Sequence, residues 1–149
     1  MWQRIQTVFL ALAIIVLLVS LIQPIWSIRS ETGDTVLTPF YLLRGTEYQY
    51  FPFALTAILS VASITVAARS ITRYKNRILQ IKLGALNSLI LVGVVGSSVY
   101  FATRLISEFQ GGGYGLGMYL PLIAVICNLA ANFFIRKDER LVRSSERLR

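Results

Sequence analysis

Ser63, Asn87, Asn128 and Asn132 are polar side chains set in otherwise apolar stretches of the sequence. An amide donates and accepts hydrogen bonds at once, so such groups can tie helices together or line a path for a polar solute. Asn128 and Asn132 are four residues apart and share one face of a helix. A second set lies in polar, charged surroundings: Arg77, Gln80, Asp138, Glu139 and Arg143 are candidates for docking a partner at a surface. Asp138 and Glu139 are adjacent rather than one turn apart. Glu139 and Arg143 have the four-residue spacing of a surface helix pair rather than of an acid–base dyad. The chain has no histidine, which removes the imidazole base and the commonest metal ligand. Cys127 is the one cysteine, so no intramolecular disulfide and no C-x-x-C redox pair can form. Gly111-Gly112-Gly113-Tyr114-Gly115-Leu116-Gly117 has the glycine content of a phosphate cradle but neither the lysine nor the preceding strand that motif needs. It reads as a flexible connection. These residue types lead us to expect no catalytic, cofactor-binding or metal site, and no enzyme.

The elements that must position these groups are apolar. Of 149 residues, 55% are hydrophobic and 15% charged, against roughly 45–50% and about 25% in soluble domains. The apolar residues fall into four blocks, predicting helices at about 8–26, 51–69, 80–103 and 116–136 within one four-pass domain, 1–149. About 20 residues at about 1.5 Å each cross a hydrocarbon core about 30 Å thick, and a helix satisfies its own backbone there. None of the blocks holds a carboxylate, so no proton- or sodium-carrying acid lies within them. Gly93 and Ser97, four apart, suit close helix contact. The first block lacks the small-x-small pattern of a cleaved signal peptide, and Trp26 reads as an interfacial anchor.

Basic residues orient the blocks. Arg4, then Arg69, Arg73, Lys75, Arg77 and Lys82, then Arg136, Lys137, Arg140, Arg143, Arg147 and Arg149 fall on one side, and Arg29, Arg44 and Arg104 on the other. Twelve against three places both termini in the cytoplasm. The net charge of +8 therefore needs no nucleic acid. It suits anionic lipid head groups, at about 1 kcal/mol per basic residue near the surface. Residues 137–149 form a basic tail, expected to be helical, with Leu141, Val142 and Leu148 on a possible apolar stripe. In the first external loop, Thr32-Gly33-Asp34 predicts a turn between strand-prone runs around Ser27 and Val36, giving a short hairpin that Pro39 ends. Tyr41, Tyr48, Tyr50, Phe51 and Phe53 gather nearby as an expected aromatic belt.

Several stretches carry a family resemblance: Met1-Trp2-Gln3-Arg4-Ile5-Gln6-Thr7, Lys75-Asn76-Arg77 with Leu79-Gln80-Ile81-Lys82-Leu83 and Leu86-Asn87, Tyr119-Leu120-Pro121, and Leu129-Ala130-Ala131-Asn132 through Ile135-Arg136-Lys137-Asp138-Glu139 to Arg147-Leu148-Arg149. Together these resemble domain-of-unknown-function family 4293, four-pass membrane proteins of the Bacteroidota, along the whole chain. Glu146 stands where the resemblance leads one to expect an aspartate, and the charge is kept. The resemblance implies a multi-pass protein of the cytoplasmic (inner) membrane and assigns no activity or site residue. The expectation is an all-α four-helix membrane bundle with a short extracytoplasmic β-hairpin. Its expected role is a non-enzymatic accessory or scaffold subunit bound to a protein partner or a second copy. The alternative is a small solute or lipid transporter or channel acting as an oligomer.

Overall fold

The computed structural model describes residues 2–29, 33–73 and 76–146, with side chains for all of these except 2–4, 143, 145 and 146. Thr32 of the expected turn, Lys75, and 147–149 of the tail lie outside the described residues. Four helices carry the chain: α1 (Trp2–Ile22), α2 (Leu55–Thr72), α3 (Arg77–Phe109) and α4 (Leu116–Glu146). All four are long and apolar enough to cross a membrane. Their outward faces are apolar, with Ile22, Leu89 and Ile126 all exposed, while Ser63, Asn87 and Asn128 are buried. That inverts the pattern of a water-soluble bundle. Between the helices small residues and aliphatics interlock: Ala13, Leu17, Leu91 and Ala124 in one cluster, and Leu10, Ala67 and Ala131 in another.

Local chemistry sets the helix limits. The Asn76 side chain caps α3 by accepting the Leu79 N–H at 3.1 Å, one of the donors that a helix start leaves open. Helix α3 ends at Gln110, which takes a left-handed conformation. Pro121 lies inside α4 and has no N–H for the Gly117 carbonyl. The Ser20 hydroxyl of α1 donates to that carbonyl instead, at 3.4 Å. Both α3 and α4 run beyond the limits set by hydropathy: Arg77 at the start of α3 pairs with Asp138 of α4, and Glu108 at the end of α3 pairs with Arg44 of the loop that follows α1.

The loops at one end of the bundle form a five-stranded antiparallel sheet rather than a lone hairpin. Its strands are β1 (Trp26–Ile28), β2 (Thr35–Leu37), β3 (Leu42–Arg44), β4 (Glu47–Gln49) and β5 (Gly113–Tyr114), in the order β4-β3-β2-β1-β5. The expected pairing of β1 with β2 is present, with Trp26 opposite Leu37 and Ile28 opposite Thr35. Thr38 and Tyr41 close the next turn: the Thr38 N–H and hydroxyl both donate to the Tyr41 carbonyl at 2.9 Å. Trp26, Leu37 and Leu42 lie in one cross-strand row and pack with Ile25, Phe53, Phe101 and Leu105 as an apolar core beneath the sheet.

Two expectations are corrected here. Trp26 is not an interfacial anchor, since none of its surface is exposed. The glycine-rich stretch is not a loose connection either. Gly113-Tyr114 pairs with β1, and the Gly115 and Gly117 N–H groups donate to Ile25 and Pro24 carbonyls at 2.8 and 2.9 Å. Gly112 has φ +95°, and a Cβ there would lie 2.5 Å from the indole of Trp26. Glycine lets the chain close directly over the ring. Of the expected aromatic belt, Tyr48, Tyr50 and Phe51 are exposed while Phe53 belongs to the core.

Candidate functional site

Helices α2, α3 and α4 bring Ser63, Asn87 and Asn128 into one chain of hydrogen bonds. The Ser63 hydroxyl donates to Asn87 Oδ1 at 2.7 Å, and Asn87 Nδ2 donates to Asn128 Oδ1 at 2.9 Å. Asn128 Nδ2 in turn donates to the Ser88 hydroxyl oxygen at 2.8 Å. Asn132, one turn along α4, donates from Nδ2 to the Gly84 carbonyl at 3.1 Å. The Ser88 hydroxyl also donates to that carbonyl, at 3.0 Å. All four residues expected from the sequence are therefore brought together, and all are at least nine-tenths buried.

Ser88 and Gly84 were missed by sequence reasoning. Ser88 follows Asn87 and lies on the neighbouring strip of the same helix, where its hydroxyl meets both asparagines of α4. Gly84 is one turn before Ser88, and a Cβ there would fall on the Asn132 side-chain oxygen. That oxygen lies against the Gly84 backbone with no hydrogen-bond donor among the described residues. The missing side chain is the signal: only a glycine admits the amide of Asn132 between α3 and α4.

The docking candidates divide. Arg77 and Asp138 pair with each other at 3.3 Å, with a quarter or less of either side chain exposed. A second guanidinium N–H donates to the Asp138 carbonyl at 3.4 Å. Gln80 is a correction: it is buried, and its Nε2 donates to the Ser70 carbonyl at 2.9 Å, closing the α2–α3 connection. Three of the five thus bind the chain to itself. Glu139 lines a recess of about 230 Å³ with Ile81, Arg136 and Arg140, and the Arg143 side chain lies outside the described residues. Leu141 is 52% exposed on the projecting end of α4.

A larger recess of about 350 Å³ opens between α3 and α4, where Ala85, Leu129 and Phe133 surround Ser88, Asn132 and Arg136. It touches one flank of the amide cluster. On the opposite side of the cluster, the Ser63–Asn87 link is closed from outside by the packing of α2 on α3.

Four membrane-length helices, three of them pinned by amides towards one end, and a small sheet roofing the other, define the class of protein. The chain belongs to the family described as Domain of unknown function (DUF4293), whose sequence pattern matches residues 2–148. None of the curated proteins compared matches the sequence.

Proposed function

We propose that this protein is an integral inner-membrane, non-enzymatic accessory or scaffold subunit, with both termini in the cytoplasm and its sheet on the outer face. The observation that carries the reading is the amide cluster. Its members bond to one another across three helices and so act as fasteners, while the outward helix faces are apolar and suited to lipid. The basic residues at the end opposite the sheet favour this orientation. Helix α4 continues past Ile135 as a single rod, which presents Leu141 and the basic side chains around it to a partner or to anionic lipid head groups.

The test is gentle detergent extraction of the tagged full chain, with the co-purifying proteins identified by mass spectrometry. Deleting 141–149 leaves the Arg77–Asp138 pair in place. A scaffold that docks through this end loses its stoichiometric partner on deletion. An unchanged set of partners removes the tail from the proposal.

A second reading rests on the recess beside Ser88, Asn132 and Arg136, which has polar atoms on an apolar wall. There the protein is a small solute or lipid transporter or channel working as an oligomer. Asn87→Leu combined with Asn132→Leu separates the two, since a pathway loses transport while a scaffold loses only stability.

A further inference from the structure

At the sheet end, an open groove of about 650 Å³ runs along α2 and α3, beside the 3.0 Å hydrogen bond from the Thr56 hydroxyl to Ser97 that ties the two helices together. Leu55 and Leu59 form one wall, Gly93, Gly96 and Tyr100 the other, and Arg104 stands at the mouth. The α3 positions 93, 96, 100 and 104 repeat at helical spacing, so they make a single stripe. From Gly93 to Arg104 that stripe runs about 16 Å, which is the depth of one leaflet of a hydrocarbon core about 30 Å thick. A Cβ at Gly96 would meet nothing within 4 Å, so the absent side chain leaves open space.

The mouth is polar and holds both signs of charge. A smaller pocket of about 160 Å³ adjoins the groove at Pro52, Phe101 and Arg104, and its polar lining is Arg44, Gln49, Arg104 and Glu108. Arg44 pairs with Glu108 at 3.0 Å. Arg104 forms no ion pair among the described residues. An apolar groove one leaflet deep therefore leads to the Arg104 guanidinium, with the Arg44–Glu108 ion pair beside it.

We propose that this groove binds one phospholipid of the outer leaflet, with a zwitterionic amino head group. One acyl chain lies along Gly93 and Gly96, the phosphate takes Arg104 as its cation, and the ammonium shares the Glu108 carboxylate with Arg44, using oxygen lone pairs that the single Arg44 Nη2 leaves open. A guanidinium is the side chain best shaped for a phosphate. The inference rests on the proposed reading that the helices cross a bilayer with the sheet on the outer face. A helix from a second copy would also fit against the glycines, but its apolar side chains would leave the Arg104 charge at the mouth without an anion.

The experiment uses the full chain in detergent, titrated with dioleoyl phosphatidylethanolamine, dioleoyl phosphatidylglycerol or dioleoylglycerol and followed by native mass spectrometry. One phosphatidylethanolamine should be retained per chain in preference to the other two. Arg104→Gln should weaken it about fivefold, the effect of one basic residue on a lipid phosphate. Gly96→Leu should displace the acyl chain and weaken both phospholipids, and Glu108→Gln should abolish the preference for the amino head group. Arg29→Gln, an exposed arginine that lines neither the groove nor the pocket beside it, should change nothing. The Gly96→Leu site is open and helical, and an unchanged helical circular dichroism spectrum verifies that this variant folds. Equal binding by wild type and by Arg104→Gln and Gly96→Leu overturns the proposal, as does a lipid-free dimer lost on Gly96→Leu. Resistance of the membrane-bound chain to alkaline carbonate extraction is scored separately. A chain that resists extraction but shows no lipid selectivity sinks the lipid site alone, and one that is released sinks the membrane reading too.

Discussion

At the sheet end of the bundle Trp26 is enclosed by Leu37, Leu42 and Leu105, and a left-handed glycine closes over its ring. Its indole N–H has no acceptor among the described residues. Towards the other end three asparagines and two serines link α2, α3 and α4 through bonds of 2.7 to 3.3 Å. The first region is held by shape and the second by direction. Shape is the stricter requirement: a close-packed ring tolerates neither loss of volume nor an added atom. Hydrogen bonds between helices in lipid contribute less, averaging about 0.6 kcal/mol and reaching about 1.7.

Substitutions can break or sharpen this contrast, and thermal unfolding of the full chain in detergent measures each. Trp26→Ala should have the largest effect, about 3–5 kcal/mol, because it opens a cavity in the centre of the sheet-end core. Gly112→Ala should follow at about 2–3 kcal/mol, combining a positive φ with overlap on the indole. Asn128→Leu should destabilise by about 1–2 kcal/mol, since it deprives Asn87 Nδ2 of its acceptor in a buried place. If Asn128→Leu proved costlier than Gly112→Ala, the contrast between the two regions would be reversed. Gly84→Ala should fall in the same range, about 1–2 kcal/mol. Adding Asn132→Ala should recover part of that loss, because the new methyl then meets no amide. Arg77→Gln should change stability by less than about 1 kcal/mol, as expected of a partly exposed ion pair.

How far the sequence foretold these regions differs between them. The helices were legible because a long apolar run has few alternatives in length and hydropathy. The amide cluster was legible because Asn87, Asn128 and Asn132 are costly in apolar surroundings and Asn128 and Asn132 share a face. The sheet was only half legible. Leu42–Arg44 and Glu47–Gln49 are three residues each, too short for alternation to show. Gly113-Tyr114 becomes a strand only because β1, far away in sequence, offers it an edge. Trp26 was read from its place at the end of an apolar run, where an anchor and a core residue look alike. Gln80 has the composition of a surface residue, and its inward turn depends on the Ser70 carbonyl at the end of α2. The neighbour, not the residue, decides in each of these cases.

Helix α4 supplies parts to both regions, and this bears on the order of assembly. Its first residues follow directly on β5, and further along it brings Asn128 and Asn132 to the amides and hydroxyls of α3. It also covers α1 through Ala124 and Cys127, which pack with Ala13 and Leu17. During synthesis from the N-terminus, α1, α2 and α3 emerge before any of these contacts exist. Until α4 arrives, the Asn87 amide N–H has no Asn128 to bond, the Pro24 carbonyl lacks the Gly117 N–H, and Leu17 lacks Ala124 and Cys127. The first three helices are therefore a holding arrangement, and the last one to be made turns it into a closed structure.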